Sequence, residues 1–326
     1  MLGDWRVGVV IPAKNEQDFI EDVISGLPDF VDCVVVVNDG STDNTRNIVE
    51  QNCQKSEKIT LLNKSGVGVG AAIDAGHQQM RELLSEPFVS AVMAGDGQMN
   101  PEDLASVVKP IINGQADYVK GNRFIEQNGP KNMPRIRIIA SMILGFFTTL
   151  AAGRRVTDPQ CGFTAISHHV IQEWSWEKSW RGYGYPNYWL IELSKKSFRI
   201  IEVPVKCVYG VEKSGIKMLP FFISVGFMMA VMHHKRCVAM LFSRSVTPHT
   251  LLSFISYVIG WVALIPGVTT DLESALTDGF ISTIFFVLVC WASAHVFDRL
   301  SVRMRTELRY NAQTCLLYTS PSPRDT

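Results

Sequence analysis

The sequence predicts an α/β fold with a doubly wound, mostly parallel sheet, followed by apolar helices. Three observations predict this architecture. Short β-branched runs alternate with stretches of helical periodicity as far as about residue 210. These runs are continuously apolar, which is typical of parallel strands covered on both faces. Beyond residue 219 the chain becomes strongly apolar.

The alternation begins with two strands, VGVVIP (7–12) and VDCVVVVND (31–39), which enclose a helix over 15–27. That helix carries acids suited to a first turn, followed by apolar residues at helical spacing. The pattern continues with three more helices and three more strands. They are a helix over 41–52, a strand over 58–63, a helix over 66–84, a strand over 88–94, a helix over 100–112 and a strand over 116–123.

Polar residues cluster where three of these strands end, as PAKNE (12–16), NDGS (38–41) and GDGQ (95–98). The carboxyl ends of parallel strands meet at one edge of a doubly wound sheet, and ligands bind there. A single Asp-Gly pair is usually only a turn, because both residues favour turns. Three clusters at one edge therefore predict a binding site.

The composition excludes several classes of function. The 31 basic and 31 acidic residues cancel, so no overall field favours nucleic acid as a partner. The seven cysteines are scattered without a C-x-x-C pair, which argues against a disulfide framework or a zinc site. GVGVG (66–70) resembles a dinucleotide loop, but it lacks the acidic strand end that NAD binding requires. We expect it to serve helix packing or the close approach of a nucleotide.

The ordered motifs resemble family 2 glycosyltransferases of the GT-A fold, and among them the polyprenyl-phosphate sugar synthases. The resemblance covers roughly residues 7–217 and rests on six segments. They are VVIPAKNE, VNDGSTDNT, AGDGQ, GNRF, DPQCGFTAI and EVPVKCVYGVEKSGIK. The resemblance implies transfer of a hexose, mannose or glucose, from a GDP- or UDP-linked donor to polyprenyl phosphate. It also implies inversion at the anomeric carbon, in line with the lack of a candidate nucleophilic side chain.

The resemblance assigns the nucleotide sugar to the three polar clusters. The residues that it implies for this role are Pro12, Ala13, Asn15, Glu16, Asp39, Gly40 and Asp96. Asp96 and Gln98 occupy the metal-binding position, and two oxygen ligands on one turn can reach the same Mg²⁺ or Mn²⁺ ion. Many members carry D-x-D-x-Q here, whereas this chain has Ala94 in place of the first aspartate. We expect Asp96, Gln98, phosphates and water to suffice.

The acceptor phosphate is expected to bind basic side chains. Its oxygen is ionised near neutral pH, so positioning and charge screening suffice without a general base. The candidate phosphate contacts are Arg123, Arg135, Arg137, Lys213 and Lys217, because Arg binds phosphate bidentately and Lys as a point charge. Asp158 and Gln160 would orient the acceptor or the sugar. With Asp96 and Arg123 they make up the predicted catalytic set.

Two other features are expected to be structural. The pairs His168-His169 and His233-His234 suggest metal ligands, but adjacent helical residues point to different sides and no third ligand is spaced nearby. The aromatic residues over 174–189 could stack on a sugar, but core or membrane-interface packing explains them more simply.

The C-terminal third predicts membrane attachment. Residues 250–267 and 280–297 are apolar, free of charge and near the length of a membrane span. Basic residues flank the pair on its outer sides, so the positive-inside rule predicts a cytoplasmic enzyme domain. Two shorter runs, residues 136–152 and 219–237, end or begin with basic residues and suit helices in the membrane interface.

These observations predict five segments. They are a cytoplasmic GT-A domain (1–217), juxtamembrane amphipathic helices (218–246), a two-helix transmembrane hairpin (247–300), a cytoplasmic basic stretch (301–314) and a foreign tail (315–326). The tail CLLYTSPSPRDT matches one reading frame of a common transposase sequencing adapter, and we expect it to be a sequencing artefact.

Two other functions compete with transfer to a lipid phosphate. Transfer to the hydroxyl of a sugar or glycolipid would require a catalytic base, and Asp158 would be the candidate. Ala94 also allows a metal-poor protein that binds a nucleotide sugar or a lipid without turnover.

Overall fold

The computed structural model describes residues 2–125, 133–207, 218–266 and 283–319, together with 268, 269, 272 and 274, and side chains as far as residue 312. These residues form two compact units. The sheet unit comprises Met1–Thr148, Val156–Leu190 and Phe198–Met229, and the helical unit comprises Thr149–Arg155, Ile191–Ser197 and Ala230–Thr326.

The sheet unit is built on a seven-stranded, mostly parallel sheet, as the sequence predicts. Its strands are β1 (Arg6–Ala13), β2 (Cys33–Asp39), β3 (Ile59–Lys64), β4 (Phe88–Val92), β5 (Tyr118–Asn122), β6 (Thr164–Ser167) and β7 (Ile200–Pro204). They lie in the order β3-β2-β1-β4-β6-β5-β7. Since β1 pairs in parallel with both β2 and β4, the three polar clusters lie on adjacent strands.

Strand β6 is antiparallel to its neighbours β4 and β5, and sequence reasoning missed it. Ala165 is the register partner of Ala91 on one side and of Val119 on the other. The strand has only four residues, and the first three belong to the DPQCGFTAI segment that carries part of the family resemblance. Four residues are too few to show a strand periodicity, and only the partners on both sides reveal it.

Helices α1 to α4 follow the predicted alternation, whereas α6 and α7 were not predicted from the sequence. They are α1 (Ile20–Ser25), α2 (Thr45–Lys55), α3 (Val69–Leu83), α4 (Leu104–Ile112), α5 (Arg135–Ala152), α6 (His168–Glu173), α7 (Tyr185–Lys195), α8 (Met218–Leu241), α9 (Pro248–Val262) and α10 (Thr283–Thr319). Helix α1 is shorter than the predicted 15–27. Asn15 has φ 60°, outside the helical region, and the Glu16 N–H bonds the side chain of Thr45 instead of joining the helix.

The core of the sheet unit lies between the sheet and its helices. Val9 of β1, Val36 of β2 and Val107 of α4 are fully buried on one side of the sheet. Val10 of β1 and Val35 of β2 point to the opposite side and are also fully buried. These strands are therefore covered on both faces, as their continuous apolar runs predict.

Within the described residues, two helices are long and apolar enough to cross a membrane, Arg135–Ala152 and Thr283–Ala312. Helix α9 is apolar but shorter. The second predicted span therefore lies on α10, while α5 covers the first of the two runs interpreted as interfacial. In the helical unit, Arg236 of α8 forms a buried ion pair with Asp298 of α10 at 2.6 Å.

Candidate active site

The ends of β1 and β2 form one interlocked surface. The Asn15 N–H donates to the hydroxyl of Ser41 at 3.0 Å, and the Asn15 side-chain oxygen accepts from the Thr42 N–H at 2.8 Å. The Glu16 N–H donates to the Thr45 hydroxyl at 2.8 Å. Two of the predicted nucleotide-binding clusters are thus held together by hydrogen bonds from the backbone of one to the side chains of the other.

Asp39 fixes the glycine loop at the start of α3. Its two carboxylate oxygens accept hydrogen bonds from the Val67 N–H at 2.6 Å and the Gly68 N–H at 2.9 Å. On the other side of this loop, a Cβ at Gly70 would lie 2.1 Å from the carbonyl oxygen of Trp180. A Cβ at Gly68 would likewise lie 2.6 Å from the carbonyl oxygen of Arg181, so both glycines are required by close packing against this backbone.

Asp96 and Gln98 lie on a tight turn after β4. The Gln98 N–H donates to Oδ1 of Asp96 at 3.0 Å, and Gly97 between them has φ +71°. Only glycine adopts this left-handed conformation without strain. The turn brings the carboxylate and the amide side chain to the same cavity.

That cavity has a volume of about 300 Å³ and lies within the sheet unit. Six of the predicted site residues line it: Pro12, Asp96, Gln98, Arg123, Arg137 and Gln160. Seven other predicted residues that the structure describes lie outside its lining: Ala13, Asn15, Glu16, Asp39, Gly40, Arg135 and Asp158. Lys213 and Lys217 lie outside the described residues.

Asp158 lies behind the cavity and is paired with Arg123. Nε of Arg123 donates to Oδ2 of Asp158 and Nη2 donates to Oδ1, each at 2.7 Å. Asp158 is fully buried, which by itself raises the pKa of its carboxyl group. The Arg123 and Lys120 charges outweigh burial, so the pKa of Asp158 lies below its ordinary value. The carboxylate is therefore ionised at neutral pH and holds Arg123 in place.

A second carboxylate orders the chain around this pair. Glu202 of β7 accepts a hydrogen bond from the Thr157 hydroxyl at 2.9 Å and another from the Thr157 N–H at 3.1 Å. Asn122 bonds the same threonine and accepts from the Phe124 N–H. The Arg123–Asp158 pair thus lies on a rigid junction of β5, β7 and the DPQC segment.

Helix α5 forms one wall of the cavity. Arg137, Ala140, Ser141 and Leu144 face the cavity, at the spacing of one helix face. Other large apolar side chains of α5 are exposed: Ile136, Ile139, Met142, Ile143, Phe146 and Phe147. Contiguous exposed apolar surface of this kind marks an interaction site.

The donor set of the turn fits a hard divalent cation. Asp96 offers a carboxylate and Gln98 an amide oxygen, and both line one cavity that is partly open to solvent. Mg²⁺ is commonly bound by one or two protein carboxylates plus substrate phosphates and water. No group of three or more His, Cys, Asp or Glu ligand atoms lies close together at this turn, as far as the described residues go. The turn therefore fits an ion that is shared with a substrate.

In the helical unit, His233 has neighbours that sequence reasoning missed. Cys237 Sγ lies 3.7 Å from its Nε2, and ligand atoms of His233, Cys237 and Asp298 lie within 4.8 Å of one another. The statement that no third ligand is nearby was wrong, because Asp298 comes from α10. However, both carboxylate oxygens of Asp298 accept hydrogen bonds from Arg236, so a guanidinium already neutralises this group.

Some lining residues were absent from the sequence-based set. Tyr183, Tyr185 and Lys206 line the cavity. The two tyrosines lie within the aromatic segment interpreted as packing, whereas Trp174 and Trp189 of that segment are buried and stacked at 3.6 Å. Lys206 lies in EVPVKCVYGVEKSGIK, one of the six segments that carry the family resemblance, and its place there was the available signal for it.

The family model of glycosyl transferase family 2 matches residues 8–174, slightly more than half of the chain. The chain belongs to glycosyl transferase family 2. The matched residues contain the three polar clusters, the Arg123–Asp158 pair and Gln160.

Two known proteins illustrate the similarity of the chain to curated relatives. A UDP-N-acetylglucosamine–dolichyl-phosphate N-acetylglucosaminyltransferase of Methanococcus voltae is 31% identical over 222 residues, covering 64% of this chain and 88% of that protein. A polyprenol monophosphomannose synthase of Mycolicibacterium smegmatis is 24% identical over 206 residues, covering 61% of this chain and 76% of that protein. The first relative is named as a transferase for dolichyl phosphate, and the second as a synthase of polyprenol monophosphomannose.

Solved structures show the same fold. Glucosyl-3-phosphoglycerate synthase from Mycobacterium tuberculosis, in complex with Mn²⁺, UDP and glucosyl-3-phosphoglycerate, superposes with a TM-score of 0.52 at 18% identity. The superposition covers 72% of this chain and 80% of that one. The sheet unit therefore has the GT-A-like α/β fold that the sequence predicts.

Proposed function

We propose that this family 2 glycosyltransferase transfers a sugar from a nucleotide diphosphate to polyprenyl phosphate at the cytoplasmic face of a membrane. Inversion at the anomeric carbon belongs to this proposal, as does dependence on a divalent metal. The named activities of the two relatives support the choice of a lipid phosphate as acceptor.

The observation that carries the proposal is the two-sided character of α5. Arg137 and Ser141 face the cavity, while Ile139 and Phe146 of the same helix are exposed apolar side chains. A helix with cations near its start and one apolar face is suited to lie in the membrane interface. The cavity would then open beside the headgroups, where a lipid phosphate can reach it and its prenyl chain can stay in the bilayer.

The state of Asp158 favours a phosphate acceptor over a hydroxyl acceptor. A hydroxyl nucleophile needs a base that removes its proton. Asp158 was the candidate base, but it is fully buried, paired with Arg123 and has a lowered pKa, so it is a poor proton acceptor. A phosphate oxygen needs no such base, because it is already ionised.

The candidate residues would have different roles according to their charge. Asp96 and Gln98 would hold the divalent cation, which would neutralise the diphosphate leaving group. Arg123, held by Asp158, and Arg137 would bind the acceptor phosphate and screen its charge. Pro12, Ala13, Asn15, Glu16 and Gly40 would form the nucleotide side of the site, with Asp39 acting through the glycine loop that it fixes.

The sugar is the open part of this proposal. Mannose and glucose are the hexoses that the sequence resemblance implies, and the relative from Methanococcus voltae adds N-acetylglucosamine as a third candidate. We also propose that residues 218–246 form juxtamembrane helices and that residues 247–300 form a transmembrane hairpin, with the enzyme domain (1–217) in the cytoplasm.

The proposal can be tested with membranes that contain the protein. Labelled GDP-mannose, UDP-glucose and UDP-N-acetylglucosamine would each be incubated with polyprenyl phosphate, with and without EDTA. We expect lipid-linked label with one donor and its loss in EDTA. No lipid-linked label with any donor would refute the acceptor assignment, and label that persists in EDTA would refute the metal.

A further inference from the structure

We infer that Thr148 and Asn187 are positioning residues that fix the orientation of the Gln160 side-chain amide. In this orientation the carbonyl oxygen of Gln160 faces the cavity, where it accepts a hydrogen bond from a hydroxyl group of the donor sugar. The inference rests on the proposed function only in that a nucleotide sugar binds here. It assigns Gln160 to the sugar, where the sequence left open whether it orients the sugar or the acceptor.

The chain of hydrogen bonds starts inside α5. The hydroxyl oxygen of Thr148 lies 2.6 Å from the carbonyl oxygen of Leu144. The other acceptor in reach of this hydroxyl is the thioether sulfur of Met229 at 3.5 Å, which is weaker and farther away. Neither partner can donate, so the hydroxyl gives its single proton to the nearer carbonyl oxygen of Leu144. Towards any other partner the Thr148 oxygen can then act only as an acceptor, and it accepts a hydrogen bond from Nδ2 of Asn187 at 2.7 Å.

The orientation of the Asn187 side chain determines the orientation of the Gln160 side chain. Nδ2 of Asn187 faces Thr148 and also lies 3.8 Å from the thioether sulfur of Met229, a weak acceptor. The carboxamide oxygen of Asn187 therefore faces the other way, and it accepts from Nε2 of Gln160. Thr148 and Asn187 are both fully buried, so water does not compete for these bonds.

The opposite orientation of these hydrogen bonds is disfavoured on physical grounds. If Asn187 were turned over, its oxygen would face Thr148 and would need the threonine proton. The oxygens of Thr148 and Leu144 would then lie 2.6 Å apart with no proton between them. Such a contact is repulsive in a buried site, where neither oxygen can turn to water.

The consequence for Gln160 is chemical selectivity. Gln160 is partly exposed and lines the cavity, and within the residues that the structure describes its hydrogen bond is made through Nε2. Its carbonyl oxygen, which can only accept, is left for the cavity. An ionised phosphate has no proton to donate, whereas a sugar hydroxyl does. Arg123 and Arg137 suit the phosphate, and Gln160 suits the sugar.

Substitution of Thr148 tests this series of hydrogen bonds without altering a residue that lines the cavity. Thr148→Val keeps the side-chain shape but removes the hydroxyl, so Asn187 and Gln160 can turn over. Thr148→Ser keeps the hydroxyl and is the matched control. The probes are the one of GDP-mannose, UDP-glucose and UDP-N-acetylglucosamine that binds the purified protein most tightly, analogues of it that each lack one sugar hydroxyl, and the nucleotide diphosphate alone, all with Mn²⁺.

We expect Thr148→Val to weaken binding of the nucleotide sugar about three- to tenfold, the value of one neutral hydrogen bond, with the nucleotide diphosphate unaffected. Thr148→Ser should bind like the unaltered protein. One deoxy analogue should bind Thr148→Val and the unaltered protein equally well, because it lacks the sugar hydroxyl that donates to Gln160. The KM for polyprenyl phosphate should not change.

Three results would overturn the inference. They are an equal loss for the nucleotide diphosphate and the nucleotide sugar, an equal loss across all deoxy analogues, and a raised KM for polyprenyl phosphate with unchanged donor binding. Because donor binding needs no acceptor, these outcomes are separate from a failure of the proposed acceptor, which would leave donor binding and its Thr148 dependence intact.

Discussion

Arg123 and Asp158 form a two-bonded ion pair, with Nε and Nη2 of the arginine each 2.7 Å from a carboxylate oxygen. The aspartate is fully buried, while the arginine reaches the lining of the cavity. The pair therefore connects a buried anion to a cation at the site, and the aspartate sets where the cation points.

The first prediction concerns the coupling within this pair. Asp158→Asn and Arg123→Lys should each lower transfer about ten- to a hundredfold, because displacement of the guanidinium misplaces the acceptor phosphate. The double variant should transfer sugar no more slowly than the less active of the two single variants, since each substitution removes the same ion pair. Initial rates measure this, with a thermal melt of each variant as the control for folding. Losses that multiply would show that the two residues act separately.

The second prediction concerns the metal turn. Asp96→Ala should reduce transfer at least about a hundredfold while the protein stays folded, because the diphosphate charge is no longer neutralised. Far-ultraviolet circular dichroism and size-exclusion chromatography check the fold. Full activity in this variant would contradict the assignment of Asp96.

The third prediction uses the residue that departs from the family pattern. Ala94 lines the cavity close to Asp96, so Ala94→Asp should add a carboxylate ligand. The Mn²⁺ concentration that gives half-maximal transfer should fall, and titration of Mn²⁺ into metal-free protein measures it. An unchanged or higher half-maximal concentration would mean that the ion does not bind at this turn.

The fourth prediction concerns the exposed face of α5. Ile139→Asp and Phe146→Asp should weaken membrane attachment, because each replaces an apolar side chain of the membrane-facing surface with a charge that is costly to desolvate at the boundary of headgroups and acyl chains. Leu83→Asp is the matched control, since Leu83 is an exposed apolar residue of α3 away from the cavity lining. Transfer to long-chain polyprenyl phosphate in vesicles should fall in the α5 variants but not in the control. Equal effects in all three would contradict an interfacial α5.

The fifth prediction concerns pH and the buried Asp74 of α3. Burial raises the pKa of Asp74 from 3.8 to about 7. The folded state thus binds a proton that the unfolded state releases, so stability should fall as pH rises from about 4 to about 7. Asp74→Asn should remove this slope, which amounts to at most about 4 kcal/mol across that range. Denaturant unfolding at pH 5 and pH 8 measures it. An unaltered slope in the variant would mean that another group titrates.

The fold was predictable from sequence where its determinants are local. The apolar run of β2 and the caps and turns around Asp39 and Asp96 determine strands and loops by short-range chemistry, and the structure follows them. Strand β6 was not predictable in this way, because its four residues gain their strand character from β4 and β5. Those partners are distant in sequence.

The convergence of part of the candidate set on one cavity was predictable to a similar degree. Asp96, Gln98, Arg123 and Gln160 stand out because they end strands or lie in short motifs, and all four line one cavity. The sequence did not show that Asp158 binds Arg123, or that Gln160 is turned by Asn187 and Thr148. Those relationships depend on side-chain packing between segments that are far apart in the chain.

The most direct test of the account is the identity of the product. Purified protein in detergent with Mn²⁺ would be given the labelled nucleotide sugar and either polyprenyl phosphate or the corresponding polyprenol, with the Asp96→Ala variant in parallel. Mass spectrometry should find a polyprenyl-phosphate sugar from the unaltered protein with polyprenyl phosphate, and no product from the polyprenol or from the variant. A glycosylated polyprenol, or no lipid product with any of the three donors, would contradict transfer to a lipid phosphate.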